Sequence, residues 1–534
     1  MDSEPLPSTT ENVLHSPLVA RPPGWQLKLL VFVSGAVLMG LEMAGSRILA
    51  SHFGSSIYVW GSIIGIFLAA LSGGYFAGGL AADRRPSFFL LNLLVLLAGC
   101  WLLVLPLYDN LICRGIRSAN LGSRLEPLLA TTILFGGPSI LMGMVSPFAV
   151  RLSASVIDRI GNTAGRLYAL STLGSIVGTL VTAFWLIPLI GVHTILRSLG
   201  ITLIAMAILG LPKSRATLVI VVPVVLVILS ALLIRPSAFI SLRSDQHVRF
   251  EADSAYHHIL VVDDDRSNLR LLRFNNHAQS IIDRNPPYDS PTYINSFELA
   301  RIFKPKLTRV LCIGGGGAIG PRKFIKQYPD VKVDLVEIDP VVVDVSHDYF
   351  HLGEDSRLKI SVQDGRRFVR GATGRYDLVI LDAFTVGGQI PFHLTTQEFM
   401  REIRDVLEPD GVFMANITSA LEGPASLILR SEYKTVASVF QAVYLFPRPT
   451  DQERTQTTQV SPSIVRNVML IGLIKSGNWT PEAIATRAAM VNENGGVYSP
   501  TFLDDARRLY KSPVRTDDVP LLTDDYAPVD TMVF

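Results

Sequence analysis

Three carboxylates and four adjacent glycines in the C-terminal half have residue types and spacing that could do chemistry. They are Gly314, Gly315, Gly316 and Gly317, then Glu337, Asp364 and Asp382. Adjacent glycines let a backbone approach a ligand that any side chain would push away. Glu337 follows them by about 20 residues, the distance at which an acid can accept hydrogen bonds from ribose hydroxyls. A carboxylate in a cleft can also attract a cationic amine and accept its proton. Any one acid is commonly a helix cap or a solvated loop residue. Their recurrence at the ends of successive apolar runs gives the set its weight.

Those apolar runs must be the elements that position the set. They are VLCIGGGGAIG (310–320), VDLVEIDP (333–340), LKISVQDGRRF (358–368), YDLVILDAFT (376–385) and GVFMANI (411–417). They read as buried parallel strands alternating with helices, and open α/β sheets bind ligands at the carboxyl ends of their strands. The spacing fits a nicotinamide cofactor or S-adenosylmethionine. No second phosphate-binding feature is evident, and Asp364-Gly365 with Asp382 fits the adenosylmethionine arrangement better. In that arrangement one acid holds the ribose, one meets the adenine amino group and one faces the reacting carbon. Upstream, HHILVVDDDRSNLRLLRFNNHAQSII (257–282) alternates and is broken by Asp and Asn turns, which predicts short antiparallel strands.

The first half of the chain is of another kind. Of 534 residues, 49% are hydrophobic and 18% charged, and the apolar excess falls before about residue 236. Seven runs near bilayer length lie at roughly 27–48, 57–82, 87–107, 128–150, 164–190, 193–211 and 216–235, which predicts a multi-pass membrane domain. Small residues at four-residue spacing (Ala36, Gly40 and Ala44; Gly74 and Gly78) fit close helix packing. Glu42 and Arg47 are ionisable groups at or near membrane depth, either functional or an ion pair that fixes packing. The first 24 residues read as a disordered tail without a removable signal peptide. A net charge of +2 makes no case for nucleic acid, and the three cysteines show neither metal-ligand spacing nor a disulfide framework. The expected organisation is therefore a tail (1–24), about seven transmembrane helices (25–235), a small β subdomain (236–300) and a Rossmann-like, class I methyltransferase-type catalytic domain (301–534). With seven spans, loop Lys and Arg favour the N-terminal side, which puts the C-terminal half outside the cytoplasm. The nucleotide-type site instead calls for a cytoplasmic catalytic domain on a bacterial-type inner membrane.

With these residues in view, the sequence resembles the spermidine synthase (polyamine aminopropyltransferase) family, and more closely its membrane-fused branch with a transporter-like N-terminal domain. The carrying stretches are YHHILVV (256–262), the glycine run, VEIDP, QDGRRF and YDLVILDAF, with IPFHLTTQEF (390–399) and LLTDDYAPVD (521–530) resembling the fused branch. GGLAADRRPS (78–87) resembles a loop of major-facilitator transporters. The resemblance implies decarboxylated S-adenosylmethionine as donor, no metal, and an amine attacking the carbon beside the sulfonium so that methylthioadenosine leaves. It assigns Glu337 to ribose, Asp364 to adenine and Asp382 to catalysis. It adds Gly365 and Gln279 to the donor site and Tyr293 and Tyr256 to the acceptor region. A homodimer is compatible with it.

The sequence departs from the family at three places. Gly317 stands where the family has an aspartate for the donor's primary amine, Thr385 stands for a second aspartate after the catalytic acid, and Ile294 replaces the polar residue after Tyr293. Lost anionic anchors weaken the expectation of free putrescine as acceptor and of strict selection for the decarboxylated donor. Asp524 and Asp525 are candidates to replace that charge, and His393 is the alternative base. A domain fused to membrane spans has reason to meet an amine or a lipid headgroup in the bilayer. Two other readings stay open: an S-adenosylmethionine-dependent methyltransferase, and a transporter or sensor with a nucleoside-binding domain.

Overall fold

The computed structural model describes residues 24–212, Val225 and 243–532, apart from 55, 123, 154–159, 276, 385–389, 451–452, 454–460, 478, 495–496 and 498. Apart from Gly24 and Val225, the expected N-terminal tail and the seventh apolar run, 216–235, lie outside the described residues. By its internal contacts the chain divides near residue 237 into two compact units, one built mostly from the apolar helices and one holding both sheets.

Six described helices are long and apolar enough to cross a membrane: Gly24–Phe53, Ile57–Arg84, Phe88–Leu107, Leu125–Ser153, Gly161–Leu186 and Val192–Gly210. A helix satisfies its backbone internally, which is what a run without nearby water requires. Their small residues sit at backbone crossings. A Cβ built on Gly178 would lie 2.1 Å from the carbonyl oxygen of Ala36, and one on Gly74 would lie 2.4 Å from that of Ile140. These positions pack helix against helix, as the spacing predicts. Among the described residues no ion pair joins Glu42 to Arg47. The buried Asp109 is paired instead with His193, Oδ2 to Nε2 at 2.9 Å, between the end of the third helix and the start of the sixth.

The second unit begins with a four-stranded antiparallel sheet: β1 (Gln246–Asp253), β2 (His258–Asp264), β3 (Leu269–Phe274) and β4 (His277–Asp283), in that spatial order. Asn268 and Asn275, both at positive φ, stand at the two turns that follow β2 and β3, the left-handed conformation asparagine tolerates. A seven-stranded sheet follows: β5 (Arg309–Ile313), β6 (Lys332–Glu337), β7 (Leu358–Val362), β8 (Tyr376–Leu381), β9 (Leu407–Ser419), β10 (Ala442–Pro447) and β11 (Arg466–Leu473). Its order is β10-β11-β9-β8-β5-β6-β7, with β5 to β9 parallel and the last two strands antiparallel. The helices that matter here are α1 (Ile319–Gln327), α2 (Pro340–Phe350), α3 (Gly365–Gly371), α4 (Gln397–Val406) and α5 (Leu427–Ala437).

Central strands such as YDLVIL are buried along their whole length, as a parallel sheet covered on both faces demands. Alternate residues feed two cores. Val310, Cys312, Leu378 and Ile380 face one, and Leu311, Ile313, Val379 and Leu381 face the other. The helices start where sequence chemistry places caps. Asp339 accepts from the N–H of Val341 ahead of Pro340, Asp364 from that of Arg367 and Thr396 from that of Phe399. The result is an antiparallel β subdomain leading into a Rossmann-like domain of the methyltransferase type.

Candidate active site

Strand order reverses between β5 and β8, so a crevice opens beyond their carboxyl ends. The glycine run leaves β5 at that point. Gly314 has φ +94° and passes so close to β8 that a Cβ on it would lie 2.4 Å from the carbonyl oxygen of Asp382, so only glycine fits. Glu337, the last residue of β6, lies beneath the loop. Its carboxylate accepts from the N–H of Gly315 at 2.8 Å and from that of Asp339 at 3.1 Å. Burial pushes the Glu337 carboxyl up, against the pull of those backbone donors. The loop is held from two further sides. The Ser280 hydroxyl of β4 accepts from the N–H of Gly317 at 2.8 Å, and the Ser346 hydroxyl of α2 donates to the carbonyl of Gly316 at 2.8 Å. Gln279, beside Ser280, is half-buried on β4.

Gly317 has no room for a larger residue. A Cβ there would lie 2.8 Å from the Phe350 ring and 3.1 Å from Cβ of Ser280. The place where the resemblance leads one to look for an acid is lined by an aromatic ring and a hydroxyl-bearing residue.

Asp364 begins α3. Its Oδ1 accepts from the N–H of Arg367 at 2.8 Å and its Oδ2 lies 2.9 Å from Nε2 of His393. Burial works to raise this carboxyl, but the backbone donor and the imidazole hold it below the ordinary range. His393 is thus partnered with Asp364 rather than with Asp382. Gly365 packs directly on β5, where a Cβ would meet Cγ2 of Ile313 at 2.5 Å.

Asp382 follows β8 immediately. Its Oδ2 accepts from the Tyr293 hydroxyl at 3.1 Å and its Oδ1 from Nδ2 of Asn416 at 2.9 Å. Burial pushes the Asp382 carboxyl up to about 6, even with both donors favouring the charged form. Burial and the neighbouring Asp382 hold the Tyr293 phenol well above its ordinary value, so it remains a donor. Asn416 is fully buried in β9, and its Oδ1 accepts from Nδ2 of Asn467 on β11 at 3.1 Å.

Three expected residues stand apart. Tyr256, in the turn between β1 and β2, is 41% exposed, and its backbone N–H donates to the Ser254 hydroxyl at 3.0 Å, away from the cluster. Asp524 is spoken for: Arg366 of α3 donates to its two oxygens at 2.7 and 2.8 Å and the Thr396 hydroxyl at 2.7 Å. Arg366 is buried and holds Glu402 of α4 as well, at 2.9 Å. Asp525 is exposed. Thr385 lies outside the described residues.

Residues 297–457, which contain the glycine run, Glu337, Asp364, Asp382 and Asn416, match the family model of the spermine/spermidine synthase domain. This stretch is similar to spermine/spermidine synthase domains. The polyamine aminopropyltransferase of Vibrio vulnificus is 36% identical over 160 residues, 29% of this chain and 52% of that protein. The chain thus spans about half the length of that curated relative. The polyamine aminopropyltransferase of Oceanobacillus iheyensis is 24% identical over 358 residues, 63% of this chain and 67% of that protein. The crystal structure of a probable spermidine synthase from Corynebacterium glutamicum shares 21% identity at a TM-score of 0.37, covering 52% of this chain and 100% of that one.

Sequence reasoning passed over four residues that build the crevice: Ser280, Ser346, Asn416 and Asn467. One of them left a legible signal. Asn416 is a lone amide inside the apolar run VFMANI, and a buried amide needs partners.

Proposed function

We propose that this chain is a membrane-bound aminopropyltransferase that acts on S-adenosylmethionine, decarboxylated or intact, and an amine acceptor. The observation that carries the reading is Asp382, a carboxylate at the strand-order reversal, held between a phenol and an amide beside the glycine loop. The donor supplies a sulfonium, which makes the adjacent carbon electrophilic. Glu337 holds the ribose hydroxyls and Asp364 the adenine edge. Asp382 draws in the protonated acceptor amine and takes its proton. The freed nitrogen lone pair forms the new C–N bond as the C–S bond breaks, and methylthioadenosine leaves with the bonding pair on sulfur. A carboxyl near 6 is largely ionised at neutral pH and about two pH units more basic than an ordinary aspartate, which suits a base for this step.

Six helices long and apolar enough to cross a membrane support a location at a bilayer, where an amine-bearing lipid headgroup would be a candidate acceptor. The absence of an acid at Gly317 supports an acceptor or donor other than the most cationic pair. The catalytic unit faces the cytoplasm, where adenosylmethionine donors are made.

Purified full-length protein is incubated with donor and candidate amines, and the nucleoside product is identified. Methylthioadenosine is expected; S-adenosylhomocysteine would mean methyl transfer, and no nucleoside product would leave a binding domain. Asp382→Asn is expected to lower single-turnover release roughly 10²–10⁴-fold, with methylthioadenosine affinity nearly unchanged. Because only the ionised carboxyl accepts a proton, kcat/KM is expected to climb with pH through about 6. A wild-type rate in Asp382→Asn would reject the assignment.

A further inference from the structure

The Asp382 carboxylate depends on a residue two strands away. Asn416 could present either end of its amide to Asp382, and only its other partners decide which. Its Nδ2 donates to Asp382 Oδ1 at 2.9 Å, while its Oδ1 accepts from Asn467 Nδ2 at 3.1 Å. Turned over, Asn416 would aim an oxygen lone pair at a carboxylate oxygen and two N–H groups at the Asn467 amide. Asn467 is set by the antiparallel pairing of β11 with β9, where it lies opposite Thr418, two residues beyond Asn416. Its Nδ2 also lies 3.4 Å from Oγ1 of Thr418. The Asn416 amide also meets the Tyr293 hydroxyl, the other donor to Asp382.

We propose that Asn467 and Asn416 form a positioning relay: Asn467 locks the amide of Asn416, and the locked amide presents a donor to the Asp382 carboxylate. The inference rests on the reading of Asp382 given above. The other titratable groups facing Asp382 are the Tyr293 phenol and the buried Cys312 thiol of β5. Burial raises both, so neither supplies a charge. Among the described residues no basic side chain bonds to or pairs with Asp382. The ionised form therefore leans on two neutral donors, of which the relay fixes one. In a buried setting a correctly turned amide favours the carboxylate, and a turned-over one opposes it.

The test uses the full-length protein in detergent and reads the ionisation of Asp382 without turnover. A pH-difference infrared band is assigned to Asp382 by its loss in Asp382→Asn. Asn416→Leu is expected to move that ionisation upward by roughly one to two pH units, the scale of one hydrogen bond to a charged group. Asn467→Leu is expected to move it in the same direction, by no more than Asn416→Leu does. Combining both is expected to add nothing further, because Asn467 acts only through Asn416. Asn467→Ser carries the same comparison if the leucine variant does not fold. An unchanged ionisation in a folded Asn467 variant would overturn the relay, as would an equal further shift when that variant is added to Asn416→Leu. In turnover, the acid limb of kcat/KM should follow the infrared shift while KM for the donor stays constant. If Asp382→Asn retains full activity, the function proposed above falls, and the infrared comparison still decides the relay.

Discussion

At the residue scale, burial is partly offset at some carboxylates and not at all at others. Glu337 is buried but accepts from two backbone donors, so its charge is supported and can be turned toward ribose hydroxyls. Glu337→Ala should weaken methylthioadenosine binding roughly 10- to 100-fold by calorimetry, the loss expected for one strong hydrogen bond to a charge. Equal affinity would remove Glu337 from the site. Glu432 of α5 is the opposite case. It is 4% exposed, no hydrogen bond or ion pair reaches it among the described residues, and burial alone pushes its carboxyl up to about 8. A carboxyl raised on folding binds its proton more tightly in the folded chain. Its neutral form costs the fold little at pH 5, and the penalty grows as pH rises from the unfolded value toward 8. Glu432→Gln should therefore raise the thermal midpoint by several degrees at pH 8.5 and by little at pH 5. The opposite pH trend would show that Glu432 has a partner when folded.

At the scale of elements, glycine and polar caps decide how closely things pack. The helices Gly24–Phe53 and Gly161–Leu186 meet where a Cβ on Gly174 would lie 2.0 Å from the carbonyl oxygen of Phe32, and one on Gly178 just as near that of Ala36. Neither backbone can yield cheaply. Gly178→Leu should separate the helices and lower the melting temperature in detergent, whereas Gly79→Leu, where nothing lies within 4 Å, should not. Similar midpoints for the two would mean that the crossing does not stabilise the unit. The buried Arg366 shows the same logic with charge, joining α3, α4 and the segment at Asp524 through one guanidinium. That arrangement explains why Asp524, promising as a spare charge in LLTDDYAPVD, already has its counter-ion.

At the scale of the whole molecule, the side of the membrane follows from parity. Loop Lys and Arg favour a cytoplasmic N-terminus, and the proposed donor requires a cytoplasmic catalytic unit. Both demands are met by an even number of crossings, and six candidate spans are described; the run 216–235 lies outside them. A phosphatase reporter active only outside the cytoplasm, fused after Phe534, should be silent. Strong activity would place the catalytic unit outside and reject the proposed donor along with it.

The sequence alone carried whatever local periodicity and turn chemistry control. Apolar runs of bilayer length, β-branched strands and a four-glycine turn are read from neighbouring residues, and they located Glu337, Asp364 and Asp382 at the ends of successive strands. The pairing of His393 with Asp364, of Arg366 with Asp524 and of Asn467 with Asn416 was not legible. Those partners are 29, 158 and 51 residues apart. Whether they meet depends on the sheet order and on the antiparallel return of β11 beside β9. Strand order is chosen by how both faces of the sheet bury their apolar area together, and no stretch of the chain holds that information by itself. The residues that could do chemistry were therefore visible in the sequence, while their partners, and hence which acid is held only by neutral donors, were decided by the tertiary structure.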